Sequence, residues 1–173
     1  MVQESINAVL GVIVCEIRTL EKNTKELDKA IEQLVVVIPE YQCLTSIPGV
    51  GKVYAAGLIA EISQIERFED QTKLTKYAGL SWKVKQSGNY QSQNTPLTKQ
   101  GNRYFRYYLV EAANSVKNYL PECKAFYLSK CKEVPKHQHK RALVLTARKF
   151  TRLVDTLPRN HQLYTTPRSM IEK

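Results

Sequence analysis

Acidic residues are scarce in the longer part of this chain. Residues 71–173 hold 5 Asp/Glu against 20 Lys/Arg, a net +15, while residues 1–70 hold 11 against 6, a net −5. A surface so one-sided is more than solubility requires, and a polyanion is its natural counterpart. The Tyr, Asn and Gln of the basic half favour nucleic acid over a membrane. Paired cysteines are also lacking. Cys15, Cys43, Cys123 and Cys131 form no Cys-x-x-Cys, and His137, His139 and His161 stand at no zinc spacing from them. That excludes a zinc module and leaves four reduced, structural thiols in a cytoplasmic protein. No apolar run reaches the ~20 residues that span a bilayer. The N-terminus has no basic region before its apolar residues, so no signal peptide is expected.

Glycine is sparse too, with 7 in 173 residues, so two of them two positions apart stand out. Residues 44–65 read as an apolar turn of helix (Leu44, Ile47), then Pro48-Gly49-Val50-Gly51, then a second apolar helix (Val53, Ala56, Leu58, Ile59, Ile62). Pro48 closes the first helix, because the residue before a proline is pushed from the α region. Gly49 and Gly51 allow the sharp turn through positive φ. The spacing resembles a helix-hairpin-helix, whose amides, at the positive end of the second helix, face a backbone phosphate. Lys52 follows at once. A tight corner buried in a core is the plain alternative.

Before this hairpin lies a heptad pattern. Ile6, Leu10, Ile13, Ile17, Leu20, Thr24, Leu27, Ile31, Leu34 and Ile38 are spaced alternately by four and three, and only Thr24 is polar. A 3.5-residue repeat held this long predicts a coiled coil and a homo-oligomer. Pro39 is expected to end that helix. The pattern begins in mid-repeat, which suggests a fragment of a longer protein.

After the hairpin, Arg67-Phe68-Glu69-Asp70 leads into a short helix over residues 71–77. Residues 81–102 form a polar, basic, nearly acid-free loop, with a short hairpin around Ser87-Gly88. Long loops inside compact domains tend to carry function. Helices are predicted over 103–120, stopped by Pro121, then over 122–131 and 139–157. The last has an apolar stripe of Leu143, Ala147, Phe150, Val154 and Leu157. The expected architecture is mainly α: a coiled-coil helix (1–40), a compact helical domain with the hairpin and basic loop (44–157), and a loose basic tail (158–173).

An ordered set of motifs then narrows the reading. Ile47-Pro48-Gly49-Val50-Gly51, Ala60-Glu61-Ile62, Arg67-Phe68, Tyr77-Ala78-Gly79-Leu80, Gln86-Ser87-Gly88 and Leu97-Thr98-Lys99-Gln100-Gly101-Asn102, with Arg106 and Ala112-Ala113, fall in order and closely spaced. Over roughly residues 44–118 the chain resembles the C-terminal transposase domain of the insertion sequence 110 (also 116/902) family. The resemblance implies a serine nucleophile, a coiled coil, a preceding RuvC-like acidic domain, and guidance by an RNA. The coiled coil and the C-terminal domain are present, the acidic domain is not. The resemblance therefore implies no cofactor in this chain, and Mg2+ only with that domain. Gly79-Leu80-Ser81-Trp82 departs from the family, which usually has a proline after Gly-Leu-x.

Ser87 is the nucleophile that the resemblance implies. A serine attacking a DNA phosphate keeps the bond energy for rejoining, and needs cations on the phosphate oxygens. Lys83, Lys85, Lys99, Arg103 and Arg106 are close enough in sequence to supply them. The acids that could take its proton are remote in sequence. By local sequence alone Ser87 is a Ser-Gly turn residue. Tyr104, Tyr107 and Tyr108 suggest a tyrosine recombinase, but two are expected to face the core and no Arg/His set surrounds them. Glu61, Glu66, Glu69 and Asp70 read as helix-surface acids rather than metal ligands, and His137 and His139 as a solvated loop. Two other readings remain: a non-catalytic nucleic-acid module, and a coiled-coil assembly protein.

Overall fold

The computed structural model describes residues 2–82, 86–87, 90–91 and 97–166, with side chains for 3–82 and 97–166. Two compact units result, residues 1–37 and residues 38–173.

The first unit is one helix, α1 (Val2–Val35). Its apolar stripe is bare: Ile6, Leu10, Ile13, Ile17, Leu20, Leu27, Ile31 and Leu34 are all exposed, Leu34 at 73%. Val9, Val12 and Val14 are exposed beside it, which widens the apolar band near the N-terminal end beyond a two-position seam. Thr24 needs no partner within the stripe, because its Oγ1 donates to the Leu20 carbonyl at 2.8 Å. No helix among the described residues is long and apolar enough to cross a membrane.

The second unit holds α2 (Pro39–Thr45), α3 (Lys52–Ile62), a 3-10 turn (Ile65–Arg67), α4 (Gln71–Tyr77), strands β1 (Gln86–Ser87) and β2 (Tyr90–Gln91), α5 (Arg103–Tyr119), α6 (Pro121–Lys132) and α7 (Gln138–Arg159). Two prolines expected to stop helices instead start them. α1 has already ended at Val35, and Pro39 opens α2; α5 ends at Tyr119, and Pro121 opens α6. Proline suits the first helical position because its missing N–H would have had no partner there.

α7 is the spine. It packs against α2, α4, α5 and α6, and buries Ala142, Thr146, Ala147, Phe150, Thr151, Val154, Asp155, Leu157 and Pro158. Two threonines sit in that core without cost, since each hydroxyl donates to the carbonyl four residues back. The expected apolar stripe is present, except that Leu143 is only half-buried. The helix runs past its expected end, so the segment beginning at Pro158 is not loose at its start. Arg159 Nη2 donates to Asp155 at 2.6 Å and to the Phe68 carbonyl at 2.9 Å, and the Tyr164 amide donates to Ser46 Oγ at 2.8 Å. Asp155 holds the guanidinium even more firmly protonated than usual. Residues 167–173 lie outside the described residues.

The glycine hairpin joins α2 to α3, and its two glycines differ. Gly49 has φ +94°, and a Cβ there would lie 2.7 Å from Tyr119 Cδ2 and 2.9 Å from Val116 Cα of α5. Gly51 has φ −74° as the N-cap of α3, with open space where a Cβ would stand. The expectation of positive φ at both is thus corrected: only Gly49 needs it, and it is a packing glycine as well. Val53, counted with the apolar face of α3, is 55% exposed.

Gly49→Ala is therefore expected to cost roughly 2–4 kcal/mol, from left-handed strain plus overpacking. Gly51→Ala should stay within ~1 kcal/mol, the scale of a cap change. Thermal unfolding of the two variants checks this, and equal losses would contradict it.

Candidate nucleic-acid interface and serine loop

Two loop ends meet at the start of α5, and the family-like motifs are what join them. The Tyr77 carbonyl accepts from the Asn102 amide at 2.7 Å, the Gly79 carbonyl from the Lys99 amide at 3.2 Å, and the Ser81 carbonyl from the Thr98 amide at 2.7 Å. Trp82 and Leu97 form an antiparallel bridge just beyond. The segment after α4 and the segment before α5 thus run side by side as far as that bridge. A side chain at Gly101 (φ +141°) would drive a Cβ to 2.3 Å from the Tyr77 carbonyl oxygen, so this approach requires glycine.

Asn102 fastens the crossing. Its Oδ1 accepts from the Tyr104 and Phe105 amides at 2.9 and 3.0 Å, capping α5. Its Nδ2 donates to Glu61 Oε2 at 2.5 Å and to the Tyr77 hydroxyl at 2.9 Å. The Tyr77 hydroxyl donates in turn to the Glu61 carbonyl, at 3.4 Å. The Tyr77 ring lies 5.2 Å from Phe68 and 5.7 Å from Phe105, and the Arg67 guanidinium lies 4.9 Å from it. Arg106 Nη1 donates to the Ala78 carbonyl at 3.0 Å and to the Lys99 carbonyl at 3.3 Å, tying both segments to α5.

The sequence-predicted residues are spread along this frame. Ser87 lies in β1, with Ser87 paired to Tyr90 and Gln86 to Gln91, the short hairpin that the Ser-Gly signal suggested. Its side chain, and all of Lys83 and Lys85, lie outside the described residues. Lys99 is exposed, with φ +51°. Arg103 is exposed and stacks on Tyr104, 4.7 Å from the ring centroid, while its Nη2 donates to the Tyr104 hydroxyl at 3.1 Å. Lys52 is exposed at the start of α3, beside Gly51. Lys99 and Arg106 therefore meet, while Gly49 packs at the other end of α5, against Val116 and Tyr119. Ten residues of helix separate Arg106 from Val116, about 15 Å of rise. One phosphate cannot touch both ends.

Two expectations change here. Tyr104 and Tyr107 are 54% and 56% exposed, so only Tyr108 turns inward, its ring packed over Gly57 of α3. Arg106 has its Nη1 committed to carbonyls, which makes it a loop fastener as much as a phosphate ligand. Reasoning from sequence missed the parts played by Asn102, Tyr77 and Glu61. Asn102 just before a helical pattern was a readable cap signal, whereas its bond to Glu61, 41 residues away, was not.

The acids are otherwise engaged. Asp70 caps α4, accepting from the Thr72 and Lys73 amides at 2.7 and 2.9 Å, and these bonds, Lys73's above all, hold its carboxyl below the usual range. Glu69 pairs with Lys73 at 3.1 Å. Among the described residues no group of three His, Cys, Asp or Glu side chains could hold a metal ion.

None of the curated proteins compared with the chain matches it. Residues 41–128, from within α2 to within α6, match the model of the Transposase IS116/IS110/IS902 family. That is just over half of the chain, and it includes the hairpin, the whole fastened crossing and α5. The chain belongs to the IS116/IS110/IS902 transposase family.

Proposed function

We propose that this chain is the DNA-binding, strand-exchanging part of its transposase, with Ser87 as nucleophile. The observation that carries this reading is the fastened crossing. In the chain Ser87 lies between two segments locked together by Asn102, Arg106 and three backbone hydrogen bonds, and the exposed cations Lys99 and Arg103 stand at that crossing. Such a frame holds a reacting hydroxyl in place, which is where much of a catalytic advantage originates. Ser87 Oγ attacks a strand phosphorus, an Oγ–P bond forms as the bond from phosphorus to one sugar oxygen breaks, and that departing oxygen takes a proton to leave as a sugar hydroxyl. The serine's own proton passes to a base outside this chain's described acids. The phosphodiester energy stays in the covalent adduct for rejoining.

Lys99 and Arg103, with Lys83 and Lys85 in the loop, balance charge on the phosphate. Gly51 and Lys52 at the start of α3 hold the backbone about one helix length away. The family's acidic domain and an RNA guide complete the reaction, so this chain alone is inert. The bare stripe of α1 joins it to further copies of itself.

Two experiments test this. In a complex completed with the acidic domain and guide RNA, wild type should form covalent protein–DNA adducts and Ser87→Ala should not, while fold and DNA binding persist. Adducts in Ser87→Ala would move the nucleophile elsewhere, with the exposed Tyr104 next. Persistent binding without adducts in the wild type would favour a non-catalytic nucleic-acid module. Sedimentation should show dimers or tetramers at tens of micromolar, a working range for weak coiled coils; a clean monomer would contradict the assembly.

A further inference from the structure

A cleft in the second unit belongs to none of these residues. It is an open cleft of about 480 Å³ lined by Gln71, Thr72 and Thr75 of α4, Ser81, Phe126 of α6, and Leu145, Arg148, Lys149 and Arg152 of α7. Its charge is one-sided. Among the described residues three cations line it, and no acid does. Arg148 and Arg152 are four residues apart on α7, so both emerge on the same helix face. Both are exposed, and among the described residues neither has an ion-pair or hydrogen-bond partner. Arg141 and Arg159, on the same helix, are by contrast paired with Glu133 and Asp155. Lys149 lies over the Phe126 ring at 5.0 Å, which keeps its ammonium at the cleft wall. The Asp70 carboxylate caps the start of α4 and does not line the cleft.

We propose that this cleft seats the phosphodiester backbone of a nucleic-acid strand, with Arg148 and Arg152 as its phosphate ligands. The planar guanidinium fork matches phosphate oxygens two at a time, which a lysine cannot do. The cleft is open rather than enclosed, as a polymer requires. Its lining includes Ser81, six residues before Ser87 in the chain, whose carbonyl accepts from the Thr98 amide at the crossing. A strand held by α7 thus also meets the fastened crossing. This inference rests on the nucleic-acid reading above, and supplies a seat that the loop and glycine-hairpin residues do not.

The test uses the full chain, in fluorescence anisotropy across a salt series, with duplex DNA, single-stranded DNA and single-stranded RNA as separate probes. Arg148→Gln/Arg152→Gln should weaken binding about tenfold or more near 0.1 M salt. On duplex DNA it should also flatten the slope of log K against log salt by about 1.8, two phosphate contacts at ~0.9 each. The exposed lysines Lys124 and Lys140 do not line the cleft, so Lys124→Gln/Lys140→Gln should change both readings much less. The probe showing the largest loss identifies which strand the cleft holds. Equal losses in the two double variants would reduce the effect to bulk charge and overturn the proposal. Wild-type affinity in the arginine variant would overturn it while leaving the nucleic-acid reading intact. A wild type that binds no probe would overturn both.

Discussion

A single amide side chain, that of Asn102, holds the parts of this domain that matter most. Its oxygen takes two free N–H groups at the start of α5, and its nitrogen reaches a carboxylate on α3 and a tyrosine hydroxyl on α4. Only an amide can accept from two amides and donate to two oxygens at once. Three helices and both ends of the 81–102 loop depend on that arrangement. Hydrogen bonds of this kind, one of them to an ionised partner, sum to a few kcal/mol, a large share of the ~5–15 kcal/mol that keeps a domain folded. Gly101 belongs to the same device, because any side chain there would push the two segments apart.

The fold was legible where a period or a steric rule spoke locally. The four-three spacing from Ile6 to Ile38 called for one long helix, and α1 follows it as far as Val35. Gly49 stood out because a sparse glycine after a proline marks a turn. Less was legible where a residue has two uses. Pro39 and Pro121 read as stops, yet a proline shortly after one helix also suits the first turn of the next. The tyrosines of α5 were misplaced because an aromatic at helical spacing fits core and surface alike. The candidate site was readable as a set of motifs but not as a mechanism. The bond from Asn102 to Glu61 and the cleft of Arg148 and Arg152 both arise from contacts far apart in sequence, and no local pattern carries them.

The charge asymmetry acquires a physical layout from these parts. The basic half does not form one uniform patch. Lys99 and Arg103 stand at the fastened crossing, Arg148 and Arg152 line the cleft of α7, and others are paired with Glu133 or Asp155 and serve the fold. The proposed function requires a strand held firmly at several phosphates while one reacts. Cations set on rigid helices around a fastened loop satisfy that need, whereas a flexible basic segment would give affinity without position.

Hydrogen exchange of the Thr98 and Lys99 amides tests the fastened crossing most directly, since each donates to a carbonyl across it. Both should be protected in the wild type, and in Asn102→Ala both should lose at least about tenfold of their protection, as removal of a hydrogen bond worth ~1–3 kcal/mol requires, while buried amides of α7 retain theirs. Free-peptide exchange at Thr98 and Lys99 in the wild type, or unchanged protection in the variant, would contradict the account.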